Sequence, residues 1–273
     1  MRSEFKAWDL WGVPLFEGKK RDLRSKIYDL RREEKPFWIA TVNPEHVMKA
    51  VEDRSYGELL NKTDINVMDG VGLLWARELE ERFKMYDLRI KNKFIGLCLK
   101  LWVGFKTGVG VMMGKHRENL IPGSILMKEM IEEAGRTGKK VFLLGGWGDR
   151  AERVAKKFKV NSYELRVTSC RGEPGVSNEE VIKKINKFEP DYLFVAYGMK
   201  KQEEWILENK DKLRVGVVMG VGRSFDYYSG DLKMAPSWVK RMGLEWLYSL
   251  VQEPSRWRRQ LALIRFVGRV IGG

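Results

Sequence analysis

The chain is poor in the residues that build metal centres and secreted scaffolds. Its two cysteines, Cys98 and Cys170, lie far apart in 273 residues and form no C-x-x-C pair. A disulfide framework and a zinc site are therefore unsupported, and the pattern fits a reducing cytoplasm. The two histidines, His46 and His116, have no metal spacing. His46, just after Pro44-Glu45, reads as a solvated residue at a helix start. No D-x-D clamp occurs, so a bound Mg²⁺ is not implied. There is no Walker A loop, and Gly145-Gly146-Trp147-Gly148 lacks the spacing of a dinucleotide fingerprint, which disfavours a dehydrogenase. Met1-Arg2-Ser3-Glu4 lacks the apolar h-region of a signal peptide. No nucleic-acid-binding motif is present, so nucleic acid is not an expected partner despite the basic total.

What the chain does have is an ordinary apolar fraction, 44%, and a net charge of +14. The excess is local. Nine Lys/Arg stand against one acid between Arg82 and Arg117, and eight against three from Asp231 to Gly273. Two basic segments point to an anionic partner such as lipid headgroups or phosphates.

Elements alternate along most of the chain. Phe5 to Phe16 reads as an edge hairpin and Lys19 to Glu34 as a surface helix. Strands are expected at Phe37–Thr41, Ile65–Met68, Lys139–Leu144, Asn161–Val167, Asp191–Ala196 and Arg214–Met219. Helices are expected between them: Pro44 to about Gly57, Leu73–Glu81, Pro122–Arg136, Asp149–Lys159, Asn178–Phe188 and Met199–Asn209. That order implies an α/β fold with a Rossmann-like, mostly parallel sheet flanked by helices. Residues 1–226 form this domain. Residues 227–273 form a helical C-terminal appendage, with helices over Pro236–Leu250 and Arg256–Ile271.

Residues 83–119 interrupt the rhythm as a basic, apolar insertion. Phe94 to Gly114 is long enough to span a bilayer. Lys100 and Lys106 would each cost about 2.5–3.5 kcal/mol at the bilayer centre, so the expectation is a segment lying in the membrane interface or, as the alternative, a buried core hairpin or ordered insertion. The terminal helix mixes Arg258, Arg265 and Arg269 with Trp257, Leu261 and Phe266, and no acid follows Glu253. It reads either as a membrane-surface element or as a docked helix with solvated arginines.

Polar or glycine-rich turns follow the strands: Thr41-Val42-Asn43, Asp69-Gly70, Gly145-Gly146, Gly198 and Gly220-Val221-Gly222. A parallel sheet brings such turns to one edge, where ligands bind. Gly145-Gly146 ahead of a helix could hold a diphosphate on backbone amides. Two roles suit Asp69: the N-cap of the next helix, or the base of an enzyme.

These turns also occur in the order of a known family. So do Lys201-Gln202-Glu203, Ser224-Phe225-Asp226, Ser229-Gly230, Ala235-Pro236, Gly243-Leu244-Glu245-Trp246-Leu247-Tyr248 and Glu253-Pro254-Ser255-Arg256. Together they resemble the WecG/TagA/CpsF glycosyltransferases (glycosyltransferase family 26) over nearly the whole chain except about 83–119. The resemblance implies an inverting, metal-independent transfer. The donor is a UDP-sugar of the N-acetylmannosamine type. The acceptor is a polyprenyl-diphosphate-linked sugar at the cytoplasmic face of the membrane. It implies Asp69 as the base, with Thr41, Asn43 and Gln202 at the sugar and Asp226 on the uracil side. It also implies Arg256 and Arg259 closing over the diphosphate, and an appendage that touches an anionic membrane. Gly145, Gly146 and Gly222 belong to the same turns. No cofactor is expected beyond the UDP-sugar substrate, and a homo-oligomer is compatible with this reading.

The chain departs from the family pattern at Leu120, Met234 and Ser249, where Arg is usual, and at Ile125, where Asp is usual. Arg117, Arg223 or Arg241 could substitute in space. The missing arginines also suit an alternative, a catalytically impaired homologue that binds a UDP-sugar or lipid.

Overall fold

The computed structural model describes residues 5–29, 35–86, 93–162, 164–172 and 175–272. An antiparallel hairpin comes first, β1 (Ala7–Leu10) and β2 (Val13–Phe16). Six further strands make one parallel sheet: β3 (Phe37–Val42), β4 (Ile65–Met68), β5 (Lys140–Gly145), β6 (Arg166–Cys170), β7 (Tyr192–Ala196) and β8 (Val217–Gly220). Their order is β4-β3-β8-β7-β5-β6. The helices of the main body are α1 (Lys20–Asp29), α2 (Pro44–Glu52), α3 (Arg54–Leu60), α4 (Val71–Tyr86), α5 (Lys93–Met112), α6 (Gly123–Thr137), α7 (Arg150–Asn161), α8 (Asn178–Phe188), α9 (Lys201–Asn209) and α10 (Ser224–Ser229). The C-terminal helices are α11 (Ser237–Arg241), α12 (Glu245–Gln252) and α13 (Trp257–Gly272). The Rossmann-like parallel sheet and the helical appendage expected from the sequence are both present. The line drawn at residue 226 falls inside α10.

Side chains alternate across the strands and both faces are dry, which is why the central strands read as unbroken apolar runs. One face buries Phe37, Ile39, Leu143, Phe194 and Met219 beneath α1, α6, α7 and α10. The other buries Trp38, Phe142, Leu193 and Val195 beneath α8 and α9. On that second face Ala40, Val42 and Met68 meet the hairpin, α2, α3, α4 and α13. The neighbouring strands β3 and β8 therefore send their following helices, α2 and α10, to opposite faces. A crevice opens between such strands at their carboxyl ends.

Several expected elements differ in detail. The helix after Pro44 breaks at Asp53, whose side chain accepts from Tyr56 N and starts α3 as an N-cap. The strand expected at Asn161–Val167 lies later, at β6, because α7 runs on to Asn161. β6 is a sheet edge paired with β5 alone, so its Thr168 and Ser169 are tolerated where an apolar run was sought. The helix over Pro236–Leu250 is two, parted at Gly243, whose φ of 67° is left-handed. In the surface helix expected at 19–34, α1 covers Lys20–Asp29 and residues 30–34 lie outside the described ones.

The middle of the insertion is one 20-residue helix, α5. Its glycines have a use. Gly104 and Gly108 lie against Trp75 of α4, and Trp75 Nε1 donates to Gly104 O at 2.9 Å. The stretch Ile95–Met112 is long and apolar enough to cross a membrane, and only 22% of it is buried. Phe105 (72% exposed) and Met113 (82%) face outward. Lys106 Nζ sits 3.8 Å over the Trp102 ring.

The hairpin turn is Trp11-Gly12, with φ of 53° and 86°. Both residues are left-handed, as a two-residue type I′ turn requires. Trp11 meets Phe266 of α13 edge-on at 5.6 Å, and Arg269 lies 4.9 Å over its ring. The inner face of α13, with Ala262 and Phe266, is thereby docked on the body, while Ile264 (69% exposed) and Leu261 point outward.

Two glycine substitutions separate packing from propensity. A Cβ at Gly220 would stand 2.7 Å from Gln202 Nε2. Gly220→Ala should cost about 1–3 kcal/mol in urea unfolding, as overpacking does. Gly268 on α13 has nothing within 4 Å of a Cβ. Gly268→Ala should stabilise by about 0.5–1 kcal/mol.

Candidate active site

The turns after β3, β4, β5, β7 and β8 wall a single cleft of about 1010 Å³. Thr41, Asn43, Asp69, Gly146, Gln202, Gly222 and Asp226 all line it.

Asp69 sits one residue past β4, and its N–H extends the ladder to Val42 O at 2.7 Å. Its Oδ2 accepts from Gly123 N at 3.1 Å. The carboxylate thus meets the first amide of α6, rather than capping α4, the helix that follows it. A Cβ on Gly123 would stand 2.7 Å from Thr41 Cγ2, so only glycine admits this approach. A helix N-terminus favours a carboxylate, yet burial outweighs it. Enclosure pushes the Asp69 carboxyl up to about 6; Glu245 adds to the rise, and Lys240 and the Gly123 bond oppose it. A group poised there can take a proton near neutral pH. Tyr227 lies in the same field, its phenol raised mainly by burial and further by Asp69.

Thr41 Oγ1 donates to Gly220 O at 3.3 Å, tying β3 to the turn after β8. Gln202, 2% exposed, fixes that turn from the other side. Its Oε1 accepts from Gly222 N at 3.0 Å and its Nε2 donates to Glu203 Oε1 at 2.8 Å. Glu203 in turn accepts from Lys200 N at 2.7 Å, and burial pushes its carboxyl up to about 7. Asn43 caps α2: its Oδ1 accepts from His46 N at 3.1 Å and lies 2.7 Å from His46 Nδ1. His46 is therefore not a solvated helix residue. It is half-buried on the cleft wall, held by the cap.

The two glycines at the end of β5 differ from expectation. Gly146 lines the cleft, but its N–H already donates to Ala196 O at 3.0 Å. That amide is spent on the sheet rather than left for a phosphate. Gly145 faces Tyr197, whose Cδ1 would stand 2.8 Å from a Cβ, and lies off the cleft wall.

Arginines frame the opposite wall. Asp226 accepts from Arg150 at 2.7 Å and from Arg223 at 3.5 Å. Arg223 also donates to Ser249 Oγ at 3.3 Å and pairs with Glu253. A guanidinium from the β8 turn thus reaches Ser249, where the family pattern places an arginine. Arg117 instead donates to Val111 O and Met112 O (3.4 and 3.2 Å), at the end of α5. Arg256 lies in a short 3-10 turn and Arg259 in the first turn of α13, but their side chains, like that of Arg241, lie outside those described. α13 itself brings Gln260, Leu263, Ile264 and Val267 to the cleft.

The sequence reading missed Tyr227, Lys240, Glu245 and Trp75 on this wall. Tyr227, adjacent to Asp226, and Glu245, within the quoted 243–248 motif, carried a local signal but were given no role. The others come from the appendage or from the face of α4 that meets α5. Among the described residues no three His, Cys, Asp or Glu side chains form a group able to hold a metal ion.

Comparison with known proteins gives this arrangement a lineage. The model of the glycosyl transferase WecG/TagA/CpsF family matches residues 8–91 and 107–272. The unmatched stretch, 92–106, falls mostly on α5. An N-acetylglucosaminyldiphosphoundecaprenol N-acetyl-beta-D-mannosaminyltransferase of Bacillus subtilis (strain 168) is 28% identical over 233 residues, 85% of this chain and 78% of its own length. The enzyme of the same name from Staphylococcus aureus (strain MW2) is 30% identical over 223 residues, 82% of this chain and 74% of its own. With most of its length matched and the matched turns gathered around one cleft, the chain belongs to the WecG/TagA/CpsF family of glycosyl transferases.

Proposed function

We propose that this glycosyltransferase moves an N-acetylmannosamine-type sugar from a UDP-sugar to a polyprenyl-diphosphate-linked acceptor, with inversion and without a metal ion. The observation that carries the reading is Asp69: a carboxylate at a strand end, in the cleft, held by the α6 amide and raised to about 6. The relatives' names supply the acceptor class and the transferred group.

In this reading Asp69 takes the proton of the acceptor hydroxyl as its oxygen attacks the anomeric carbon. The bond from that carbon to the β-phosphate oxygen breaks, and UDP leaves with the electron pair. Attack from the face opposite the leaving group inverts the centre. The departing charge needs cations where it develops. Arg223, Lys233 and Lys240 on the cleft wall supply them, and Arg256 and Arg259 join from the appendage. Asp226, between Arg150 and Arg223, orients the donor end. The exposed apolar side chains of α5, α12 and α13, mixed with lysines and arginines, support a position on the inner surface of the cell membrane.

A donor panel offered with lipid-linked N-acetylglucosamine tests the activity. UDP binding without sugar release under any donor would replace the transferase by the impaired-homologue reading. Asp69→Asn should keep UDP binding and lose about 10²–10⁴-fold in kcat, the range for a general base; a near wild-type rate removes Asp69 from that role.

The pH profile gives a second check. The ionised carboxylate is the base, so kcat/KM should rise with pH through a limb near 6 and then level. Glu245 raises the Asp69 pKa and Lys240 lowers it. Glu245→Gln should therefore move the limb to lower pH and Lys240→Met to higher pH. Shifts of the opposite sign would reject the assignment.

Vesicle binding tests the membrane surface. Each basic residue near an anionic bilayer contributes about 1 kcal/mol, so Lys100→Gln with Arg258→Gln should weaken binding to anionic vesicles about 30-fold. Unchanged binding would reject this face.

A further inference from the structure

The cleft has two chemically different ends. Around Asp69 its wall is polar. Beyond the first turn of α4 it becomes apolar, built from Trp75 of α4, Val111 and Met112 of α5, and Leu263, Ile264 and Val267 of α13. We infer that this apolar end, between α5 and α13, seats the prenyl chain of the acceptor lipid. The inference rests on the acceptor class proposed above and adds to it a binding site for the tail.

Three features support it. First, Trp75 gives its N–H to Gly104 O, so it offers the groove a ring rather than an unmet donor. Second, Gly108 also lines the cleft beside Trp75, and a Cβ there would stand 3.8 Å from the Trp75 ring. The missing side chain keeps the floor open. Third, the groove runs out to Met112 and Ile264, part of an exposed apolar surface that continues along α5 through Leu101, Trp102 and Phe105 and along α13 through Leu261. A tail leaving the groove would pass directly into lipid. Lys106 over the Trp102 ring and Arg258 near Trp257 suit the headgroup level.

The occupant is a prenyl chain rather than a phospholipid acyl chain because the groove is continuous with the carboxylate. Val71 and Trp75 are one turn apart on α4, about 6 Å along its axis. A diphosphate-sugar head attached to a tail in this groove is thereby led to Asp69, and a phospholipid has no such head. Residues 92–106, outside the family match, supply the outer part of α5. They carry the exposed apolar surface beyond the groove, whereas the α5 residues that line it, Gly108, Val111 and Met112, lie inside the match.

A photoreactive long-chain prenyl-diphosphate N-acetylglucosamine tests the site with the whole protein in detergent micelles. Labelling is expected on α5 and α13 and should be competed by long-chain prenyl diphosphate. Label elsewhere on a probe that is turned over would overturn the seat, as would competition by phospholipid alone. In steady-state assays the wild type should show a KM at least about tenfold lower for long-chain than for short-chain acceptors. Gly108→Leu, which fills the floor, and Ile264→Glu, at an exposed position, should each abolish that difference by raising the long-chain KM. A chain-length preference that survives both substitutions would also overturn it. Competed labelling of α5 and α13 with no transfer from any UDP-sugar would sink the transferase reading and leave the seat standing.

Discussion

Adjacent parallel strands that send their helices to opposite faces must part at their carboxyl ends, and β3 and β8 do so. Everything placed in the cleft depends on how that parting is held. Thr41 bonds across it to Gly220 O. Gln202 props the turn beyond Gly220 and is itself locked through Glu203. Gly123 brings the start of α6 close enough to meet Asp69. The glycines of these turns are where one backbone crosses another closely. The crevice is therefore framed by hydrogen bonds of the fold itself.

Charge is distributed unevenly around that frame. Asp226, Asp231 and Glu253 each hold an arginine, whereas Asp69 holds a backbone amide. An ion pair with a guanidinium would have held Asp69 in the ordinary carboxylate range or below it. An amide inside an enclosed pocket leaves burial as the dominant influence. The same region thus contains acids paired with arginines and, in Asp69, an acid whose proton affinity burial has raised. The Arg223–Ser249 contact extends this economy: a cation from the β8 turn serves a position where the family's own arginine is absent.

The central strands were legible because they are apolar on both faces. β6 was misplaced because an edge strand can be polar. Asp69, Asn43 and Asp226 could be found because each follows a strand closely or stands by a glycine turn. The influence of Glu245 and Lys240 on Asp69, smaller than that of burial, could not. They come from the appendage, and no local spacing links them to β4. Gly145-Gly146 carried a plausible local signal for phosphate, but the partner of Gly146 N is Ala196 O, known only once β7 lies beside β5. The glycines of α5 weaken a helix taken alone; against Trp75 they allow close packing.

The clasp between Trp11 and Phe266 also bears on how the molecule is made. The hairpin, α2 and Gly72 of α4, on which the inner face of α13 packs, are synthesised long before α13 itself. At about 5–20 residues per second, a ribosome completes this helix within seconds of the preceding turn. The body can fold with its docking face waiting, so the apolar outer surface of α13 joins a finished scaffold rather than an unfolded chain. Tethering this helix to the first turn thereby keeps the apolar outer face of α13 out of the earliest stages of folding.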